Sequence, residues 1–143
     1  MKVVFDLQGS PIGAESLWAT KVWADKYRLE NSPLYVYGYS LGDIVAVTEQ
    51  EGVLMVSGPS ARGGHSTYRV FLEAGVEISS SVFVAYWTQL ASLGCTYEGA
   101  RGRLLAIDVP PSADIASVYS ILENGEATGV WEFEEGHCGH PIA

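Results

Sequence analysis

Ser79-Ser80-Ser81-Val82-Phe83-Val84-Ala85-Tyr86-Trp87-Thr88-Gln89-Leu90-Ala91-Ser92-Leu93-Gly94 is the stretch whose reading decides the fold. Val82, Phe83, Tyr86, Trp87, Leu90 and Leu93 recur at the i, i+3/i+4, i+7 spacing of one helix face. Ser79-Ser80 stands where an N-cap belongs and Gly94 where a C′ glycine belongs, so the spacing predicts a helix bounded at both ends. Before it, residues 67–72 read as a strand. After it, residues 95–98 and 104–109 read as two strands flanking the hairpin signal Gly99-Ala100-Arg101-Gly102. Pro110-Pro111-Ser112 starts a second helix, with Ile115, Val118, Tyr119 and Leu122 on one side and Asp114 favouring the N-terminal dipole. Gly125 is expected to stop that helix, and residues 129–134 form a last strand. From residue 67 to 134 the order is β-α-β-β-α-β, the ferredoxin-like split βαβ arrangement, with two helices on one face of a four-stranded antiparallel sheet.

The first half has a different period. Residues 3–7, 17–23, 27–29, 34–39, 44–48 and 53–57 read as short strands, separated by turn chemistry such as Ser40-Leu41-Gly42-Asp43 and Glu49-Gln50-Glu51-Gly52. Such a series predicts a small curved antiparallel sheet or partial barrel. The fold class is therefore α+β. A chain of 143 residues is expected to be one domain, with an all-β half over 1–64, a ferredoxin-like half over 65–136 and a tail over 137–143.

Composition narrows the functional class. Four Trp, eight Tyr and a charged share of 17% argue against disorder. The net charge of −9 is one-sided. Residues 104–143 contain no Lys or Arg and carry Asp108, Asp114, Glu123, Glu126, Glu132, Glu134 and Glu135. A face of that sign repels polyanions and attracts basic surfaces. The eight bases do not cluster along the chain, which disfavours nucleic-acid binding. The longest uncharged stretch, residues 78–97, holds too many Ser, Thr and Gln for a membrane span, and Asp6 interrupts any apolar leader. Cys95 and Cys138 are too few for a disulfide framework, so both are expected as reduced thiols in the cytoplasm.

Glu15-Ser16-Leu17-Trp18-Ala19, Tyr27-Arg28-Leu29-Glu30-Asn31-Ser32-Pro33, Ser40-Leu41-Gly42-Asp43-Ile44-Val45 and Gly64-His65-Ser66-Thr67-Tyr68-Arg69-Val70 occur in that order. The series resembles a bacterial family catalogued as domain of unknown function 4265, over nearly the whole chain. The resemblance implies a bacterial, single-domain, cytoplasmic protein and transfers no catalytic residues.

Several constellations bear on chemistry. Gly38-Tyr39-Ser40-Leu41-Gly42 matches the G-x-S-x-G nucleophile elbow, a motif that works only on a turn from strand into helix. A strand follows here, so Ser40 is expected to be a plain turn residue. Gly63-Gly64-His65-Ser66-Thr67-Tyr68-Arg69 combines close backbone approach, a side chain that titrates near neutrality and a guanidinium able to grip a carboxylate or phosphate. The plainer reading makes it a junction between the halves, with Arg69 pairing an acid such as Glu15 or Asp43. His137-Cys138-Gly139-His140 offers soft metal ligands, but three within four residues cannot close a tetrahedral site unless Cys95 comes close. A flexible tail is the expectation. Glu132 and Glu134 share a strand face and read as solvated acids rather than a catalytic pair. No P-loop, dinucleotide fingerprint or CxxC pair occurs, and neither a cofactor nor a metal is expected.

The leading expectation is a small acidic cytoplasmic protein-binding module, an immunity-type inhibitor that neutralises a bacterial toxin by direct binding. Aromatics would anchor the interface, and Glu123, Glu126, Glu132, Glu134 and Glu135 would steer a basic partner. The alternative is a small enzyme or ligand-binding domain with its site at the junction of the halves, near Glu15, Asp43, His65 and Arg69. The oligomeric state is open.

Overall fold

The computed structural model describes residues 1–99 and 102–141. The chain runs β1 (Lys2–Leu7), β2 (Gly13–Trp23), β3 (Lys26–Leu29), β4 (Ile44–Gln50), β5 (Val53–Ala61), β6 (Ser66–Leu72), α1 (Ser81–Ser92), β7 (Thr96–Gly99), β8 (Leu104–Val109), α2 (Ile115–Ala127) and β9 (Trp131–His137). It is a mixed α+β protein.

Strands β1 to β5 curl into a closed barrel. Neighbours in sequence pair antiparallel, and a parallel contact of Val4 with Met55 closes β1 on β5. Alternation along the strands puts Val3, Phe5, Leu17, Ala19, Tyr27, Leu29, Val45 and Val47 inside. The β4–β5 hairpin turns at Glu51-Gly52, both with positive φ, as a two-residue turn of right-twisted strands requires.

The second sheet has the order β7-β8-β6-β9, antiparallel throughout. Tyr68, Val70 and Leu72 of β6 join Leu105, Ile107 and Val109 of β8 in a core with Phe83 and Leu90 of α1 and Val118 and Leu122 of α2. Both helices thus cover one face. Thr67, Arg69 and Phe71 point to the other face, where the barrel lies.

The segment 34–39, expected as a strand, is irregular. The Glu15 carboxylate accepts the amides of Leu34, Tyr35 and Val36, so those N–H groups are not free for a strand ladder. Helix α1 is narrower in its buried face than its pattern implies. Phe83 and Leu90 are buried, Tyr86 and Trp87 are half-buried, and Val82 is exposed. Ser80 does occupy the N-cap, but its Oγ accepts the Glu77 amide behind it. Helix α2 begins at Ile115 rather than at the prolines, because 110–113 close a turn of their own through Ala113 N–H to the Pro110 carbonyl. Gly125 does not end α2, which runs on to Ala127. A Cβ at Gly125 would meet the Trp131 ring at 2.5 Å, so glycine is there for close packing. The hairpin signal at 99–102 is flanked by paired strands β7 and β8, and its central Ala100 and Arg101 lie outside the described residues. Among the described residues, no helix is long and apolar enough to cross a membrane.

Candidate functional site at the seam between barrel and sheet

The loop from Pro33 to Val36 is held from two sides. From the barrel, buried Glu15 on β2 accepts Leu34 N–H at 2.6 Å, Tyr35 N–H at 3.1 Å and Val36 N–H at 2.9 Å. From the sheet, Arg69 on β6 donates to the carbonyls of Val36 at 2.9 Å and Pro33 at 3.4 Å. Arg69 is only 2% exposed. Its charge is met by Glu134 across the β6–β9 ladder at 3.3 Å, and its guanidinium lies 4.5 Å from the Tyr37 ring centroid. Tyr37 in turn donates its hydroxyl to Glu134, and that bond, followed by burial and the negative charge of Glu134, raises the phenol's pKa. The junction reading of Arg69 therefore needs a correction: its acid is Glu134, not Glu15 or Asp43. Glu15 is too occupied by backbone amides to serve as a counter-ion.

The Ser40-Leu41-Gly42-Asp43 turn forms as its chemistry requires, with Asp43 N–H donating to the Ser40 carbonyl and Ser40 N–H to the Asp43 carboxylate. Fully buried Asp43 also accepts Gly63 N–H at 2.9 Å and pairs with Arg62 at 3.0 Å. Gly63 sits so close to Gly42 that a Cβ there would lie 2.7 Å from the Gly42 carbonyl oxygen. The expected close backbone approach at this loop is made to the chain itself.

Ser40 is 0% exposed, and its Oγ bonds Thr67 Oγ1 at 2.6 Å and His137 Nδ1 at 2.9 Å. Thr67 donates onward to the Tyr39 carbonyl, which can only accept. The arrangement in which all three bonds have one donor and one acceptor, given the Thr67 bond to Tyr39, runs His137 N–H to Ser40, Ser40 to Thr67, Thr67 to Tyr39. In it the imidazole is a donor to Ser40, not a base. Strand β4 follows the turn, so the strand-to-helix geometry of a nucleophile elbow is absent at Ser40. Burial lowers the His137 pKa, and nearby Arg62 adds to that against Asp43 and Glu135.

The other two histidines are also engaged. His65 Nδ1 lies 2.9 and 3.1 Å from the two Asp108 oxygens, and burial raises the Asp108 pKa while His65 opposes the shift. His140 is buried between Ser66 Oγ, at 2.6 Å from Nδ1, and the Pro110 carbonyl, at 2.9 Å from Nε2. Nε2 must donate to that carbonyl, which can only accept. The expected flexible tail is thus fastened as far as His140. Gly139 allows the fastening, since a Cβ there would sit 2.2 Å from the His65 carbonyl oxygen. Burial pushes the Cys95 thiol up to about 11, and Cys138 donates to the His140 carbonyl. Among the described residues, no group of three or more His, Cys, Asp or Glu is placed to hold a metal ion.

The structure brings Glu15, Asp43, His65 and Arg69 to one seam, as the junction reading requires. It turns each toward an internal partner rather than toward a shared space. None of the five cavities it describes is lined by Glu15, Asp43 or His65. A cleft of about 220 Å³ beside Arg69 is lined also by Phe71, Leu104, Glu132, Phe133 and Glu134. Glu123, Glu126, Glu132, Glu134 and Glu135 are all exposed, on α2 and β9. Three of them also work internally: Glu126 caps the Phe133 amide, Glu134 holds Arg69 and Glu135 accepts the Tyr68 hydroxyl. Sequence reasoning missed the roles of Thr67, Asp108 and Arg62. Their partners lie far away in sequence, and no local signal marks them.

A barrel joined through a network of buried polar bonds to a helix-covered sheet is the class of protein this fold defines. The chain belongs to the family described as domain of unknown function (DUF4265), whose model matches residues 15–133. A protein described as a novel crystal structure of a hypothetical protein from Neisseria gonorrhoeae has a similar fold. It has a TM-score of 0.78 and 17% identity, covering 97% of this chain and 96% of that one. No curated protein matches the sequence.

Proposed function

We propose that the protein is a protein-binding module that engages a basic partner through the acidic edge formed by α2 and β9, acting as an immunity-type inhibitor of a toxin. The observation that carries this reading is the exposure of five glutamates on two adjoining elements, in a stretch without Lys or Arg. Carboxylates so placed act mainly on the rate of encounter. Exposed Tyr119 on α2, and Tyr37, which donates to Glu134 on β9, supply anchoring surface beside these carboxylates. The enzyme reading loses support because the groups it needs are spent in internal bonds. The free thiols Cys95 and Cys138 suit a reducing cytoplasm.

Two finer structural readings accompany the proposal. The strand order β7-β8-β6-β9 with both helices on one face supports the ferredoxin-like label for the second half. The bonds across the seam, such as Ser40 to Thr67, Arg69 to Val36 and Asn31 to Glu98, support folding of the whole chain as one cooperative unit.

The test is stopped-flow association with a purified partner, identified first by co-purification or as the product of a neighbouring toxin gene. Glu123, Glu126, Glu132 and Glu135 are changed together to Gln; Glu134 stays because it holds Arg69. Association should slow several-fold at low salt, with a smaller change in dissociation. An on-rate indifferent to both salt and the substitutions would refute electrostatic engagement by this edge.

A further inference from the structure

The barrel covers only part of the outer face of the sheet, and the register shows which part. Asp108 of β8 stands opposite Thr67 of β6, and Ala106, Arg69 and Glu134 form the next row across β8, β6 and β9. In these rows Asp108, Thr67, Ala106 and Arg69 are buried by the barrel and its loops. The row after that is Leu104, Phe71 and Glu132, again direct cross-strand neighbours on one face. The barrel does not reach it: Phe71 is 45% exposed even with the chain's own Arg103 over its ring. The cleft of about 220 Å³ opens here, with Phe71 and Leu104 lining it beside the carboxylates of Glu132 and Glu134.

We propose that this cleft receives one arginine side chain of the partner protein. The inference rests on the protein-binding reading above and names the chemistry at its centre. An apolar floor suits the methylene stem of a long basic side chain, while a carboxylate rim suits its head group. Glu134 is committed to Arg69, but Glu132 has no hydrogen bond or ion pair among the described residues. The chain's own contacts show that this surface takes a guanidinium. Arg103 lies 4.7 Å from the Phe71 ring centroid, and Arg69 lies 4.5 Å from that of Tyr37, in the loop clamped by Glu15. Planar guanidinium on an aromatic face, with a carboxylate at its edge, is the pairing that distinguishes arginine from lysine. A preformed receptor loses little freedom on binding.

The probe is acetyl-Gly-Arg-Gly-amide, with the citrulline peptide as an uncharged control of the same shape, titrated into the ¹⁵N-labelled full chain. The arginine peptide should shift the amides of Phe71, Leu104, Glu132 and Phe133, and the citrulline peptide should not. Glu132→Gln should weaken the arginine peptide about tenfold, as loss of a charge-assisted bond implies. Phe71→Ser should weaken it as well, and Glu49→Gln, at an exposed position of barrel strand β4, should leave it unchanged. Equal shifts from citrulline, or shifts spread along α2 instead of the cleft, would overturn the proposal. The two readings fail separately. If a purified partner binds Glu132→Gln and Phe71→Ser as tightly as the native chain, the arginine site is wrong and the module reading stands. If no partner binds the native chain, the module reading falls, while the peptide titration still decides the cleft.

Discussion

Replacing Glu15 by Ala would remove a carboxylate that accepts three backbone amides at 2.6, 3.1 and 2.9 Å and is itself 7% exposed. The amides of Leu34, Tyr35 and Val36 would then lack an acceptor. Leu34 and Val36 are half-buried and Tyr35 is exposed, so water can reach some of this loop and each lost bond belongs near the low end of its range, at about 1 kcal/mol. Three give roughly 3 kcal/mol, or a fall in melting temperature on the order of 10 °C for a chain this size. Glu15→Gln keeps one acceptor oxygen and should lose about half as much. The assay is urea denaturation followed by tryptophan fluorescence and circular dichroism, with amide hydrogen exchange at residues 34–36. The variant amides should exchange faster, and Tyr37 should lose its fixed position over Arg69. A stability change below about 0.5 kcal/mol with exchange at 34–36 unaltered would refute the claim that this carboxylate builds the loop.

Gly125→Ala should destabilise by about 1–3 kcal/mol in a denaturant titration, although alanine favours helix, because the new methyl would lie 2.5 Å from the Trp131 ring. Trp131→Ala should lose about 3–5 kcal/mol, since Trp131 is 0% exposed and donates to the Leu122 carbonyl at 3.0 Å; half-buried Trp87→Ala should lose clearly less by the same thermal melts. For His137 the folded protein holds the imidazole neutral, with its pKa below the ordinary 6.5. As pH falls below about 6.5 the unfolded chain binds the proton first, so stability drops until the folded pKa is passed, and His137→Gln should flatten that slope in melts across pH 7 to 5. Asp108, whose pKa is raised by burial, works in the opposite sense at lower pH, because there the folded chain binds the proton first.

Much of the local architecture was legible in the residues themselves. The two helices, the hairpin at Glu51-Gly52 and the turn at Ser40-Leu41-Gly42-Asp43 depend on period, caps and glycines within a few positions. Such energies are set by near neighbours in the chain, so a sequence displays them. The acidity of the C-terminal quarter is equally a sequence property. Tertiary structure alone decided the rest. The aromatic and β-branched run at 34–39 looks like a strand, yet Glu15 and Arg69, brought in from β2 and β6, occupy its backbone groups. Gly125 looks like a helix stop until Trp131 is seen against it. Ser40 matches a nucleophile motif, but its partners Thr67 and His137 lie 27 and 97 residues away and place it inside a buried relay. Burial and long-range pairing depend on which strands the barrel and the sheet bring together, and no local pattern encodes that choice.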